Sequence, residues 1–180
     1  HHLPGRELPA ASVIVNPNLP ASGFASRCLA GVGVAFYVIA ALSRLLPGSS
    51  NPAQWLDLVA LGPVADLGPL DRNNRVLVHQ GLIRIRAGRC VPGIRALIEV
   101  AGRRQSATTA ADLGFSVAPR LNAAGRLTDM RLGIDCLLAE SPGDAARLAE
   151  QLSELNARRR DIEARMQEEA GRIGTTFLSG

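Results

Sequence analysis

The sequence contains no lysine, so all 20 residues in its Lys plus Arg count are arginines. With 16 acidic residues, the formal net charge is +4 and the pI is about 9.7. Arginine carries a planar fork of donors that matches the geometry of a phosphate group, so this composition permits a nucleic-acid or nucleotide partner. The preference of GC-rich genomes for arginine codons explains the same composition. The positions of individual arginines therefore matter more than their number.

Cysteine is scarce and aromatic residues are few. Cys28, Cys90 and Cys136 are widely spaced and include no CxxC pair, which argues against a zinc site and against a disulfide framework. We therefore expect a reduced, cytoplasmic setting. Aromatic residues make up 3% of the chain, so we do not expect the stacking of nucleic-acid bases to be concentrated in it.

The sequence also lacks an uninterrupted apolar run long enough to cross a membrane. The best candidate, residues 28–46, contains two glycines together with Ser43 and Arg44. It is also shorter than the roughly 20 apolar residues that a membrane span needs. We predict a buried helix over residues 30–46 instead.

The order of predicted elements indicates a helix-rich α/β protein. Residues 11–15 are a short apolar, β-branched run that ends at the turn-forming sequence Asn16-Pro17-Asn18, and such a run is typical of a buried parallel strand. After the helix at 30–46, Asn51 is predicted to cap a helix that breaks near Gly62-Pro63. Further predicted elements are a helix capped by Asp71 that runs to residue 85, a helix over 92–102, a loop over 120–126, and a helix over about 129–138.

The last element is predicted to be a single long helix. Ser141, Pro142 and Asp144 are typical of a helix start, and the apolar residues that follow recur mostly at steps of three and four. A helix of roughly 30 residues would be about 45 Å long. A helix of this length with one narrow apolar stripe connects two bodies or pairs with another helix. The pattern is lost after residue 173, so we expect a frayed tail at 174–180.

Two places near the start of the chain could bind a metal. His1 and His2 precede a Pro-Gly turn, and neutral imidazole is a good ligand for manganese or zinc-class ions. Composition alone favours a different origin for them, the remnant of a purification tag. Asp66 is a lone carboxylate in an apolar run and needs a metal, an arginine or a helix N-terminus as partner. A helix cap and a metal ligand are equally open interpretations of Asp66.

A third place is the segment Pro119-Arg120-Leu121-Asn122-Ala123-Ala124-Gly125-Arg126-Leu127. The small residues around Gly125 allow the backbone to approach a ligand, and Arg126 could then hold a phosphate through two parallel hydrogen bonds. The alternative interpretation is an ordinary loop in which Arg126 pairs with Asp129.

Taken together and in order, these segments resemble the RecJ exonuclease branch of the DHH phosphoesterase superfamily. The resemblance covers nearly the whole chain, from residue 1 to about residue 170. The block ALGPVAD followed at this distance by PRLNAAGRL is its most specific part. The resemblance is carried by HHLPG, ASVIVNPN, CLAGVGVAFY, LDLVALGPVADLGPLDRNNR, VHQGLIRIRAG, PGIRALIEVAG, DLGFSVAPRLNAAGRL and the long charged helix.

The resemblance implies a role for each candidate residue. His1 matches a manganese ligand, and His2 matches the histidine that contacts the scissile phosphate. This replaces the purification-tag interpretation, because Leu3-Pro4-Gly5 also continues the family pattern. Asp66 matches a downstream aspartate that ligates metal. Arg126 matches the arginine that holds the terminal 5′ phosphate, and Asn122 beside it is expected to orient that segment.

For the fold, the resemblance implies that residues 1–140 are the C-terminal portion of a DHH-type parallel-sheet catalytic domain, and that residues 141–173 are an interdomain connecting helix. For the function, it implies a 5′-to-3′ single-stranded-DNA exonuclease that hydrolyses phosphodiesters with two metal ions, Mn²⁺ or Mg²⁺, in DNA repair and recombination. The implied partners are single-stranded DNA, a single-strand-binding protein and a helicase. The resemblance implies no membrane partner.

The chain departs from the family pattern at both ends. The aspartate of the Asp-His-His motif would precede His1, and the family's second domain would follow the long helix. We therefore expect an internal fragment that is inactive alone. Two alternatives remain: another phosphoesterase of the same superfamily, acting on short oligonucleotides or cyclic dinucleotides, and a non-catalytic interaction module.

Overall fold

The computed structural model describes the backbone of residues 1–178 and the side chains of residues 1–171. All regular secondary structure in this part of the chain is helical. The α-helices are α1 (Gly31–Leu45), α2 (Leu56–Ala65), α3 (Arg72–Arg86), α4 (Pro92–Val100), the single turn α5 (Ala110–Asp112), α6 (Ala118–Leu127), α7 (Arg131–Leu138) and α8 (Pro142–Leu178); short 3-10 helices lie at Pro52–Trp55 and Gln105–Ala107, and a π-helical segment at Leu113–Val117.

Side-chain caps fix the starts of several helices where the sequence predicts them. The Asn51 side chain accepts a hydrogen bond from the backbone N–H of Ala53 at 2.9 Å, which begins the 3-10 helix before α2. The Asp71 carboxylate accepts one from the N–H of Asn74 at 2.8 Å and caps α3. Each cap provides a partner for a backbone donor that the first turn of a helix leaves unpaired.

The strand predicted at residues 11–15 does not form within the described chain. This segment has no regular structure, and the side chains of Val13 and Val15 are 78% and 58% exposed. A strand forms only where a neighbouring strand takes up its backbone hydrogen bonds. No part of residues 1–178 supplies such a neighbour, so the structure does not confirm the parallel sheet.

Two positions where the sequence predicted that a helix is broken are helical in the structure. Helix α2 does not break at Gly62-Pro63 but continues to Ala65. Pro63 falls in the last turn of α2, where its missing N–H removes a single hydrogen bond of the helix. The segment 120–126, predicted to be a loop, lies within α6. Pro119 does not interrupt this helix, since it stands in the first turn, where proline is tolerated.

The core is built from helices packed around the first half of α8. Helices α4, α6 and α7 contact α8, and α2 packs on α3. A second, smaller cluster joins α1 to α2 and α3 through Leu29, Val59 and Leu77. The largest fully buried apolar side chains of the main core are Ile85, Ile94, Leu97, Ile98, Leu113 and Leu152.

Helix α8 is buried over its first half only. Its last buried residue among the described side chains is Asn156, and residues 157–171 are exposed or partly exposed. The helix has 37 residues and is about 55 Å long. It runs to Leu178, past the predicted end at 173, and Ser179 and Gly180 of the predicted tail lie outside the described residues. Among residues 1–178, no helix is long and apolar enough to cross a membrane.

Candidate metal site

The turn at Asn16-Pro17-Asn18 holds the first two residues of the chain in place. The side-chain N–H of Asn18 donates to the backbone oxygen of His1 at 2.8 Å, and that of Asn16 donates to the backbone oxygen of His2 at 2.9 Å. The backbone N–H of Asn18 also donates to the Asn16 side chain, which rigidifies the turn. The sequence marks this segment as a turn, but it does not show that the turn positions the histidine pair.

The imidazole of His1 lies against the start of α1. A Cβ atom at Gly31, the first residue of α1, would stand 3.2 Å from Cδ2 of His1, so a larger residue would push the ring away by a few tenths of an ångström. The ring of His2 lies beside that of His1, with centroids 4.1 Å apart and planes tilted by 38°. The two imidazoles are therefore held as a pair at the N-terminus of α1. The role of Gly31 depends on this contact and could not be read from its sequence neighbours.

Asp66 completes the cluster. It directly follows α2, and its Oδ2 lies 3.8 Å from Nδ1 of His1. The helix that follows, α3, is capped by Asp71. Asp66 is therefore not the cap of that helix, which was one of its two interpretations from the sequence. Two ligand atoms of one Mn²⁺ or Mg²⁺ ion, each about 2.1 Å from it, stand no more than about 4.2 Å apart. The separation of His1 and Asp66, together with their imidazole and carboxylate chemistry, fits such an ion.

The described residues do not by themselves form a complete metal site. No group of three or more His, Cys, Asp or Glu side chains in that part of the chain is arranged to hold a metal ion. His1 and Asp66 are two donors, whereas these divalent cations take about six. The remaining donors would have to be water, substrate or other polypeptide.

Arg126 and Asn122 lie together on α6, one turn apart and exposed. The side chain of Arg126 is 65% exposed, and its Nη1 lies 3.8 Å from Oε1 of Glu163 on α8. Asp129, the partner considered from the sequence, instead accepts a hydrogen bond from the backbone N–H of Arg131. The structure thus brings His1, His2 and Asp66 together, while the contact of Arg126 is with α8.

Further arginines lie at the junction of α6 and α8, and they are not among the candidate residues predicted from the sequence. Arg159 donates to Glu163 at 2.6 Å. Arg120 is partly buried and donates to the backbone oxygen of Ser116 and to Oγ of Ser153 on α8. Burial, and then the nearby charge of Arg160, lower the pKa of Arg120 from its ordinary value. Four guanidinium groups therefore share this junction.

No protein-family model matches the chain. It is 54% identical over 180 residues to the single-stranded-DNA-specific exonuclease RecJ of Dickeya dadantii, across 94% of this chain and 31% of that protein. It is 38% identical over 170 residues to the protein of the same name from Bacillus subtilis, across 94% of this chain and 21% of that protein. The chain thus spans about a third or less of the length of these relatives.

The fold is similar to solved structures as well. A crystal structure of exonuclease RecJ bound to manganese is 36% identical, with a TM-score of 0.81, across 94% of this chain and 42% of that one. A structure of RecJ in complex with Mg²⁺ from Thermus thermophilus is also 36% identical, with a TM-score of 0.74, across 86% of this chain and 24% of that one.

Proposed function

We propose that this chain, which is homologous over 94% of its length to a segment of the RecJ single-stranded-DNA-specific exonucleases, is part of the catalytic domain of such an enzyme. The longer protein that would contain it is called the whole protein below. The proposed reaction is metal-dependent hydrolysis of phosphodiesters in single-stranded DNA from the 5′ end. The relatives are named for single-stranded DNA, which does not favour short oligonucleotides or cyclic dinucleotides as substrates.

The observation that carries this proposal is the approach of His1 to Asp66. These donors come from separate parts of the chain and meet in a fold similar to that of RecJ structures that hold Mn²⁺ or Mg²⁺. A divalent cation held there would neutralise phosphate charge and lower the pKa of a bound water. His1 and Asp66 are the proposed ligands. Because two donors are too few for two ions, we propose that the 180 residues alone are inactive.

His2 is proposed to contact the scissile phosphate. Its backbone oxygen is held by Asn16, which fixes the position of the residue, and its side chain is exposed beside the ring of His1. An imidazole N–H in this position can donate to a phosphate oxygen next to the metal. In this proposal the side chain of His2 orients the substrate and is not itself a metal ligand.

Arg126 is proposed to hold the terminal 5′ phosphate, and Asn122 to orient the same face of α6. The pairing of Arg126 with Glu163 is long and exposed, and Glu163 already accepts a short hydrogen bond from Arg159. Exposed pairs of this kind contribute about 0–1 kcal/mol, so the guanidinium can exchange Glu163 for a phosphate. Recognition of the terminal phosphate would restrict the enzyme to free ends.

The domain arrangement follows from the same proposal. Residues 1–140 would be the C-terminal portion of a parallel-sheet catalytic domain, in which residues 11–15 pair with a strand from outside this chain. Val13 and Val15, β-branched and exposed in the described chain, would be covered in such a domain. The segment 141–173, whose buried residues end at Asn156 and whose residues 157–171 are exposed or partly exposed, would connect to a further domain. A cytoplasmic role in DNA repair and recombination, with a single-strand-binding protein and a helicase as partners, completes the proposal.

The test uses the whole protein with Mn²⁺ and 5′-phosphorylated single-stranded DNA. Replacing Asp66 with alanine should lower the rate of hydrolysis by about a hundredfold or more, because a metal ligand is lost. Asp135→Ala is the matched control, since Asp135 is a similarly exposed aspartate paired only with Arg131 on α7. Hydrolysis at the normal rate by Asp66→Ala would contradict the proposal, whereas Asp135→Ala should retain full activity.

A further inference from the structure

An open apolar groove begins one residue after Asp66. Its volume is about 290 Å³, close to the lower end for small-molecule sites, and no charged side chain lines it. Leu67, which follows Asp66 directly, forms one side of the groove, so its Cα lies about 3.8 Å from that of the proposed metal ligand. The opposite side is formed by the turn α5 and the π-helical segment. The groove therefore adjoins the candidate metal site.

The backbone of Leu67 is strained. Its φ of 53° is the only positive φ of a non-glycine residue in the described chain. A Cβ-bearing residue adopts this left-handed conformation at a cost in energy, and such strain is concentrated at functional sites. The conformation leaves the Leu67 side chain 73% exposed at the groove, where it buries little apolar surface.

The second unusual feature is another residue that lines the groove, Phe115. Phe115 is 74% exposed and lies in the middle of the π-helical segment Leu113–Val117. Leu113 and Val117 at the ends of this segment are completely buried and anchor it. A Cβ at Gly114 would stand 3.1 Å from the backbone oxygen of Val64, so glycine allows the segment to press against the end of α2. π-helical turns are rare and frequent at functional sites.

Other aromatic residues of the chain behave differently. Phe24 and Phe36 each pack edge-to-face against Tyr37, with ring centroids 5.0 and 5.5 Å apart. Phe115 is instead presented to solvent by a rigidly anchored segment. Such a ring provides a flat apolar face to a molecule that enters the groove.

We propose that this groove is a base-binding subsite, in which a nucleobase of single-stranded DNA stacks on Phe115 and contacts Leu67. The inference rests on the proposed function. An apolar groove with no charge excludes the phosphate and accepts the base, and stacking on an aromatic ring tolerates every base. Because Leu67 adjoins Asp66, the stacked base would belong to a nucleotide at or next to the scissile phosphate. The stacking of one nucleobase requires a single aromatic ring, so the low aromatic content of the chain is compatible with such a subsite.

The test compares two 5′-phosphorylated single strands with the whole protein and Mn²⁺: one intact, the other with abasic residues at its 5′-terminal positions. Phe115→Ala should raise KM for the intact strand about tenfold, the loss expected for one stacked base, and should leave KM for the abasic strand unchanged. Phe115→Trp, which keeps an aromatic ring, should have the wild-type KM. Phe115→Leu, which keeps an apolar side chain without the ring, should raise KM as Phe115→Ala does.

Leu138→Ala is the control for loss of an exposed apolar side chain, because Leu138 is 69% exposed on α7. It should leave both KM values unchanged. An equal effect of Phe115→Ala on the two strands, or no effect on either, would overturn the subsite. Wild-type protein that hydrolyses neither strand would instead refute the proposed function, so the two failures are distinguishable.

Discussion

Cys136 is a completely buried thiol in α7, and it illustrates how the environment of one residue sets its chemistry. Burial raises the pKa of Cys136 from 9.0 to about 11, because the thiolate loses its hydration. Cys90 is only partly buried, and its pKa is also raised, by burial first and then by the charge of Asp57. Cys28 is partly exposed.

We predict that Cys136 resists alkylation by iodoacetamide between pH 8 and about pH 9, while Cys28 reacts, because thiolate and access are both needed. Peptide mapping by mass spectrometry measures both rates. The unfolded thiol ionises near pH 9.0 and the folded one near 11, so the free energy of unfolding should fall as pH rises through this window. Alkylation of Cys136 as fast as that of Cys28 would show that the site is open.

The residues proposed to carry chemistry could be identified in the sequence, and those that position them could not. His1, His2, Asp66 and Arg126 stand out by residue type and by family motif. Gly31 does not, because its role is to leave room for an imidazole that reaches it from a distant segment. The exposure of Phe115 depends in the same way on how the π-helical segment is anchored, which no local pattern reveals.

Helix α3 packs against α2 through a glycine, and this contact shows how elements are fitted together. A Cβ added to Gly81 on α3 would collide with the backbone oxygen of Leu56 and the Cβ of Ala60, both on α2. Neither atom can move without a shift of the helix backbone. Gly143 in the first turn of α8 has open space around its hypothetical Cβ, so it provides a matched control.

We predict that Gly81→Ala lowers the free energy of unfolding by roughly 1–3 kcal/mol, since the overpacking outweighs a gain in helix propensity of about 1 kcal/mol. Gly143→Ala should leave stability unchanged or raise it by a few tenths of a kcal/mol, because only the propensity term applies near a helix end. Urea unfolding followed by circular dichroism measures both. Equal effects of the two substitutions would refute the close contact between α2 and α3.

At the level of elements, the helix positions were predicted well where caps and periodicity agree, as at α3, capped by Asp71, and at the start of α8, where Ser141 accepts a hydrogen bond from the N–H of Asp144. The loop predicted at 120–126 failed because tertiary contacts override weak local propensity. Leu121, Ala123 and Ala124 are buried in the core, and α6 packs against α8 despite the asparagine and glycine in its sequence. The strand at 11–15 failed for the opposite reason, since strand formation needs a partner that residues 1–178 do not provide.

Over the whole described molecule, the proposed site residues form two groups that make different contacts. His1 and Asp66 meet beside α1 and the end of α2, whereas Arg126 and its neighbouring arginines lie at the junction of α6 and α8. The groove lined by Leu67 and Phe115 lies between them along the chain, after Asp66 and before α6. The proposed reaction requires one DNA strand to reach the metal donors, the groove and Arg126.

The central claim is that His1 and Asp66 bind the same divalent cation. Anomalous diffraction from crystals of the whole protein grown with Mn²⁺ locates that ion most directly. The predicted result is a manganese peak at direct coordination distance, roughly 2 Å, from the His1 imidazole and from the Asp66 carboxylate. Manganese bound elsewhere, with no peak between these two side chains, would contradict the claim.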